Sequence, residues 1–187
     1  FIIKGNGKEY ERIEEIRSYE YPIILPLNFP LNYEINNPEE SDILTLSKLK
    51  YWETAPFNPR ILSENGLNFC FTMSDLEKPS DFIKNLRTSI KKGLTKKDAL
   101  HALTLTPATL MNEENRLGTL EIGKKANFII CSSDIFENGK IYENWTNGIQ
   151  NIVNEKTEND VRGYYTFTAE NIRKTFTVTG EVRKLKM

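Results

Sequence analysis

The sequence predicts an α/β chain in which strands alternate with helices over the earlier part and short antiparallel strands follow. Three observations predict it. Continuous apolar runs of strand length stand at residues 1–4, 22–25 and 67–73, the pattern of strands buried on both faces. Segments with apolar residues at helical spacing lie between and after these runs. Past Asn127 the period drops towards two, and Asn147-Gly148, a dipeptide suited to a type I′ turn, separates two short strand-like runs.

In chain order, residues 1–4 run into Gly5-Asn6-Gly7, whose glycines are free to take positive φ. Across residues 8–19, Tyr10, Ile13, Ile16 and Tyr19 fall along one face opposite Glu and Arg, as in a helix packed on a sheet. With the run at 22–25 this forms a strand-helix-strand unit, whose right-handed crossover makes the strands parallel. Residues 26–41 are rich in Pro, Asn and acid with no period, long enough for a functional loop at a strand end. Residues 43–52 and 56–64 read as short helices, the second stopped by Asn65-Gly66. Strand 67–73 leads through a loop at 74–79 into a helix at 80–92, capped by Ser80, which buries Phe82 or Ile83, Leu86 and Ile90. Farther on, strands at 139–145 and 149–154 flank Asn147-Gly148, and 154–160 is a polar linker. Tyr165 and Phe167 then alternate with threonines, as do Phe176 and Val178, and a turn at Thr179-Gly180 leads to a last strand with Val182 and Leu185.

At 187 residues the chain is long enough for one well-buried domain or for part of a larger fold with a small module attached. Lysine and arginine number 25 against 26 acids, a net charge of −1. No basic surface is therefore expected, and neither a nucleic acid nor a membrane surface is an expected partner. Cys70 and Cys131 both sit in apolar runs, the setting of buried structural thiols rather than of a disulfide framework or a thiolate metal site.

Residues 93–128 hold the most specific order of local signals. Thr95 with Asp98 marks a helix start, with Leu100, Leu103 and Leu105 along the helix. Thr106 followed by Pro107 starts a second, short helix, and Gly118, Gly123 and Lys124-Lys125 bracket a polar turn before an apolar strand at 127–131. This series resembles the C-terminal segment of the amidohydrolase superfamily, in particular its imidazolonepropionase-like branch. Thr104, Pro107, Ala108, Gly118, Leu120, Gly123, Lys124 and Ala126 match, and Asn127 stands where the family usually has Asp. The resemblance is tight over 93–128 and loose over 1–153. It implies a partial (β/α) TIM-barrel end, the last βα units at 1–117, then strands of the flanking small β domain at 118–154 and a β extension at 155–187. A whole barrel takes roughly 250 residues, so the resemblance implies the C-terminal fragment of a longer protein. The opening on Phe1 without an initiator Met agrees with that expectation.

In such a barrel the residues just past each strand form the pocket. Ser74-Asp75 follows the strand at 67–73, where the family carries an aspartate that binds metal or takes the proton from a metal-bound water. Asp75 is thus the candidate catalytic and metal-binding residue, although Ser74-Asp75 equally reads as a loop that caps the next helix. The family's other metal ligands would precede Phe1 or fall near it. If residues 1–4 are the sixth barrel strand, its exit Gly5-Asn6-Gly7 lacks the histidine found in the family, with Asn6 only a weak oxygen substitute. His101, within a helix, reads as a surface or packing residue. Trp52, Glu53 and Pro56 could wall the pocket, but Trp52 and Tyr51 are large apolar anchors first. Tyr142, Trp145, Tyr164 and Tyr165 could form a carbohydrate platform, yet aromatics are favoured in short sheets for packing alone.

The resemblance implies a parent that hydrolyses C–N bonds of cyclic amide or peptide-like substrates with a divalent metal, zinc by its ligand chemistry. The isolated chain is expected to be inactive and to need the rest of its barrel, or a second chain, to cover its open edge. The alternative is a non-catalytic binding module on a degenerate fold of the same kind. From Leu49-Lys50-Tyr51-Trp52-Glu53-Thr54-Ala55-Pro56 onward the chain resembles family members that look like exported bacterial proteins, and the compartment itself stays open.

Overall fold

The computed structural model describes residues 1–30, 44–155, 162–169, 172–181 and 184–186. The greater part of the predicted loop at 26–41 and the linker at 154–160 lie outside the described residues, as does Val182.

Three parallel strands organise the first part: β1 (Ile3–Lys4), β2 (Ile23–Pro26) and β3 (Phe69–Thr72), in the order β1-β2-β3. Ile3 pairs with Ile23, and Ile24 with Cys70. Between β1 and β2 the chain forms a 3-10 turn (Glu9–Arg12) and α1 (Ile13–Tyr19), whose Ile13 and Ile16 pack on the core. The expected helix at 8–19 is thus divided, and Glu20 ends it in the left-handed region at φ 52°. Helix α2 (Leu46–Thr54) is capped by the Thr45 side chain, which accepts the Lys48 N–H. A 3-10 turn (Ala55–Phe57) and α3 (Asn58–Glu64) follow.

Past β3, α4 (Asp81–Lys91) covers the sheet with Phe82, Leu86 and Ile90. Ser80 stands at its N-cap position but has helical dihedrals and makes no capping bond. Helix α5 (Lys96–Leu103) starts as its sequence dictates: the Thr95 hydroxyl accepts the Asp98 N–H at 3.0 Å and donates to Asp98 Oδ2 at 2.7 Å. Its buried face is Ala99 and Ala102, whereas Leu100 is exposed, because close approach to β3 leaves room only for small side chains. Helix α6 (Leu105–Leu110) begins ahead of Thr106. Thr104 takes the N-cap position instead, and Pro107 falls at the third helical residue, where its missing N–H still leaves no bond unmade.

The core sits between these helices and the sheet. Ile23, Leu25 and Leu27 of β2 and its exit meet Leu62 of α3, Phe69 of β3, Leu86 of α4 and Ala99 and Ala102 of α5. Strand β2 is buried because it is the central one.

A second sheet is antiparallel: β4 (Phe128–Cys131), β5 (Ile141–Thr146) and β6 (Ile149–Ile152). Asn147 and Gly148 both have positive φ, 51° and 79°, as a type I′ turn requires. Asn127, the departure from the family's Asp, holds that turn: its Oδ1 accepts the Asn147 N–H at 2.7 Å. A third sheet comprises β7 (Gly163–Ala169), β8 (Ile172–Glu181) and β9 (Lys184–Lys186). Strand β8 continues through Thr179-Gly180, where a turn was expected. Tyr165 stacks on Phe176 across the hairpin, while Tyr164, on the opposite face, is 90% exposed and belongs to no core. The thiol Cys70 is buried, Cys131 half-buried, and both are free.

Candidate functional site

The three parallel strands all end on the same side of the sheet, so Lys4-Gly5, Leu27-Asn28 and Met73-Asp75 converge there. Asp75 sits in a tight turn after β3 with φ 69°, in the left-handed region that aspartate tolerates better than most residues. The neighbouring backbone is closed by Ser74 N–H donating to Thr72 Oγ1 at 3.1 Å and by Leu76 N–H donating to the Met73 carbonyl. This geometry raises the carboxylate above the strand ends. Its ion-pair partner is Lys4, at the end of β1: Nζ lies 2.9 Å from Oδ2, across the width of β2. Both side chains are about half exposed, 56% and 52%, so this chain alone leaves the pair open to solvent. Asp75 does not cap the next helix, since α4 begins only at Asp81.

The exit of β1 has its own support. Glu9 is buried, and its Oε1 accepts the N–H groups of Asn6 and Gly7 at 2.5 and 3.1 Å. Its Oε2 accepts from Asn58 Nδ2 at 2.6 Å, and Asn58 Oδ1 in turn accepts the Tyr10 N–H at 2.9 Å. Asn6 directs its side-chain oxygen to the Lys8 N–H at 3.0 Å, so that oxygen is engaged locally rather than free as a ligand. On the far side, Asn85 of α4 donates to the Leu27 carbonyl at 2.7 Å and fixes the exit of β2.

His101 lies elsewhere. It lines a small cleft with Ser63, Leu67, Asn68 and Asp98, at the start of β3 and therefore at the opposite end of the sheet from Asp75. The larger cleft, about 470 Å³, opens between α4 and β5 and does not include Asp75. Among the described residues no group of three His, Cys, Asp or Glu side chains stands together as a metal site. The described residues by themselves therefore do not make a complete metal centre: at the strand ends one carboxylate faces an ammonium. A divalent ion at this place would need its other ligands from outside the described residues. No helix among the described residues is long and apolar enough to cross a membrane.

The position of Asp75 directly past a strand was legible in the sequence. Lys4 and the Glu9–Asn58 pair were not: Lys4 ends a strand with no local sign of a partner, and 49 residues separate Glu9 from Asn58.

Comparison with known proteins completes the picture. The model of the amidohydrolase family matches residues 54–166. The chain belongs to the amidohydrolase family. Two adenine deaminases, from two strains of Clostridium perfringens, are 30% identical over 131 residues, covering 63% of this chain and 23% of theirs. Among solved structures, an amidohydrolase from Thermotoga maritima MSB8 aligns over 80% of the chain with a TM-score of 0.59 at 20% identity. A Xaa-Pro dipeptidase with methionine bound in its active site aligns over 81% with a TM-score of 0.58 at 16% identity. At such identities the structural likeness speaks for the amidohydrolase fold alone. The chain spans only 36% and 39% of these two solved structures, as it spans 23% of the deaminases.

Proposed function

We propose that this chain is the C-terminal part of a longer hydrolase that acts on C–N bonds, that its parallel sheet is the end of a (β/α)8 barrel, and that it contributes Asp75 to the site. The observation that carries the reading is the position of Asp75 directly past the end of a parallel strand in a chain of the amidohydrolase family. There a carboxylate can accept a proton from the attacking water and return it to the departing nitrogen. A metal ion bound in the parent, zinc being the expected one, would supply Lewis acidity and an activated water; its remaining ligands would lie on other strands. The relatives support a small-molecule substrate with a C–N bond at the reacting centre, whether to an exocyclic amino group on a heteroaromatic ring, in a cyclic amide or in a peptide-like bond. The rest of the barrel, or a second chain, is the partner that covers the edges of the sheet. Export from a bacterial cell belongs to the same proposal.

The test is metal content and amide or deaminase turnover of the full-length parent, wild type beside Asp75→Ala and Asp75→Asn, purified without chelator or affinity metal. The expected result is about one or more metal ions per chain and a rate lowered at least ~100-fold in both variants, as for loss of a general acid-base group. A wild type with neither bound metal nor turnover would sink the enzyme reading and leave a binding module on a degenerate fold.

A further inference from the structure

The exit of β1 is held by a buried polar clamp that nothing in the sequence announces. Glu9 and Asn58 both avoid solvent, yet their polar atoms find partners. Two backbone N–H groups and one side-chain amide converge on the Glu9 carboxylate, and Asn58 uses its oxygen on Tyr10. A buried carboxylate is costly unless its lone pairs are filled in this way. The loop it grips is favoured by its two glycines. Gly7 has φ 86°, and a Cβ there would stand 3.2 Å from the Tyr51 hydroxyl. At Gly5 a Cβ would meet Glu9 Oε1 at 2.5 Å. The carboxylate thus fills the space that a side chain at position 5 would need, and the first residue at the β1 exit able to project towards the strand ends is Lys4, which reaches Asp75.

We propose that Glu9, through Asn58, is a positioning residue for the mouth of the site: it clamps the 5–7 turn so that Lys4 faces Asp75 and no side chain enters from residue 5. This rests on the reading of Asp75 given above. The clamp has a polarity, and reversing it tests the idea. In Glu9→Gln the side-chain oxygen still accepts from Asn6 and Gly7, but the new NH2 meets the NH2 of Asn58. Flipping Asn58 only moves the conflict to the Tyr10 N–H. In Asn58→Asp two carboxylates face each other. When Glu9→Gln and Asn58→Asp are combined, the carboxylate at position 58 accepts both from the amide at position 9 and from the Tyr10 N–H. Every bond is then restored, with donor and acceptor exchanged between the two side chains.

The experiment compares these three variants with wild type in the full-length parent, by hydrogen exchange at Asn6 and Gly7, by kcat and KM for C–N hydrolysis, and by thermal midpoint. Each single variant is expected to raise exchange and lower kcat about tenfold, the scale of one buried donor left without an acceptor, with KM nearly unchanged. The double variant is expected to recover both to within about threefold of wild type. Exchange unchanged in the single variants, or a double variant no better than the worse single, overturns the clamp. Faster exchange with kcat intact overturns its positioning role. A wild-type parent that hydrolyses nothing refutes the function reading instead, and exchange with its rescue then decides the clamp alone.

Discussion

Asp98 gathers two segments of chain through one carboxylate oxygen. It accepts from Thr95, which opens α5, and from Ser63 near the end of α3, at 2.7 and 2.8 Å. Those two hydrogen bonds, Thr95 first, hold its carboxyl below the ordinary aspartate value, with His101 adding a smaller effect. A depressed carboxyl stabilises the fold fully above the pKa it has when unfolded, and that contribution fades as pH falls through its folded value. Thermal midpoints measured from neutral to strongly acidic pH should therefore drop less steeply on the acid side for Asp98→Asn than for the native chain. Parallel curves for the two proteins would show that Asp98 is not a source of the acid sensitivity. At the same scale, Lys4→Met tests the strand-end pair. Because the pair is half exposed, its loss should move the melting point of this chain little, whereas in the longer hydrolase proposed above it should lower kcat. A loss of several degrees without any effect on kcat would mean that the pair serves the fold and not the site.

At the scale of elements, the segment between β4 and β5 is what ties the antiparallel sheet to the helices. Arg87 of α4 donates from Nε to the Ile135 carbonyl and from a terminal nitrogen to the Gly139 carbonyl, at 2.9 and 2.8 Å. Lys96 of α5 pairs with Asp134 and Glu137, and Phe136 packs against the main core. The two bonds from Arg87 satisfy backbone oxygens that the turn itself leaves over, so they matter more than the exposed lysine pairs. Arg87→Ala should destabilise by about 1.5–3 kcal/mol, and Lys96→Ala by clearly less, because its ion pairs are exposed. Gly139→Ala should cost roughly 1–3 kcal/mol, because its Cβ would stand 2.3 Å from the Ser133 carbonyl oxygen and 2.7 Å from that of Asp134, neither of which can swing aside. Urea unfolding of the three variants ranks them, and a Lys96→Ala effect equal to that of Arg87→Ala would contradict the assignment.

For the whole molecule, the decisive fact is that, among the described residues, a parallel sheet of three strands leaves both β1 and β3 with a neighbour on one side only. Phe1 is 98% exposed, and Ile2, Tyr19 and Tyr21 form an apolar margin beside that edge. Open edges and apolar margins pair with whatever strand is available. Expressed alone, the 187-residue chain should self-associate or bind a hydrophobic dye, while the longer protein proposed above should not; sedimentation velocity distinguishes them. A monodisperse isolated chain that unfolds cooperatively would argue that these three strands are sufficient by themselves.

Much of this architecture was legible in the sequence, and the part that was not differs in kind. Strand runs, the Thr95 cap, the turn at Asn147-Gly148 and the family-specific order of residues 93–128 rest on interactions between residues a few positions apart, so composition and spacing determine them. The same locality explains the errors. Helix α6 starts at Leu105 because Thr104 bonds back to Leu100, and Leu100 is exposed because β3 approaches the other face of α5. The placement of Asp75 past a strand was readable from residues 67–75. That Lys4 faces it, that Glu9 and Asn58 meet, and that His101 lies at the far end of the sheet were decided only by the order and direction of three strands. Burial and ion pairing act between groups that the chain brings together from tens of residues away, and no local pattern encodes which of many charged residues will arrive there.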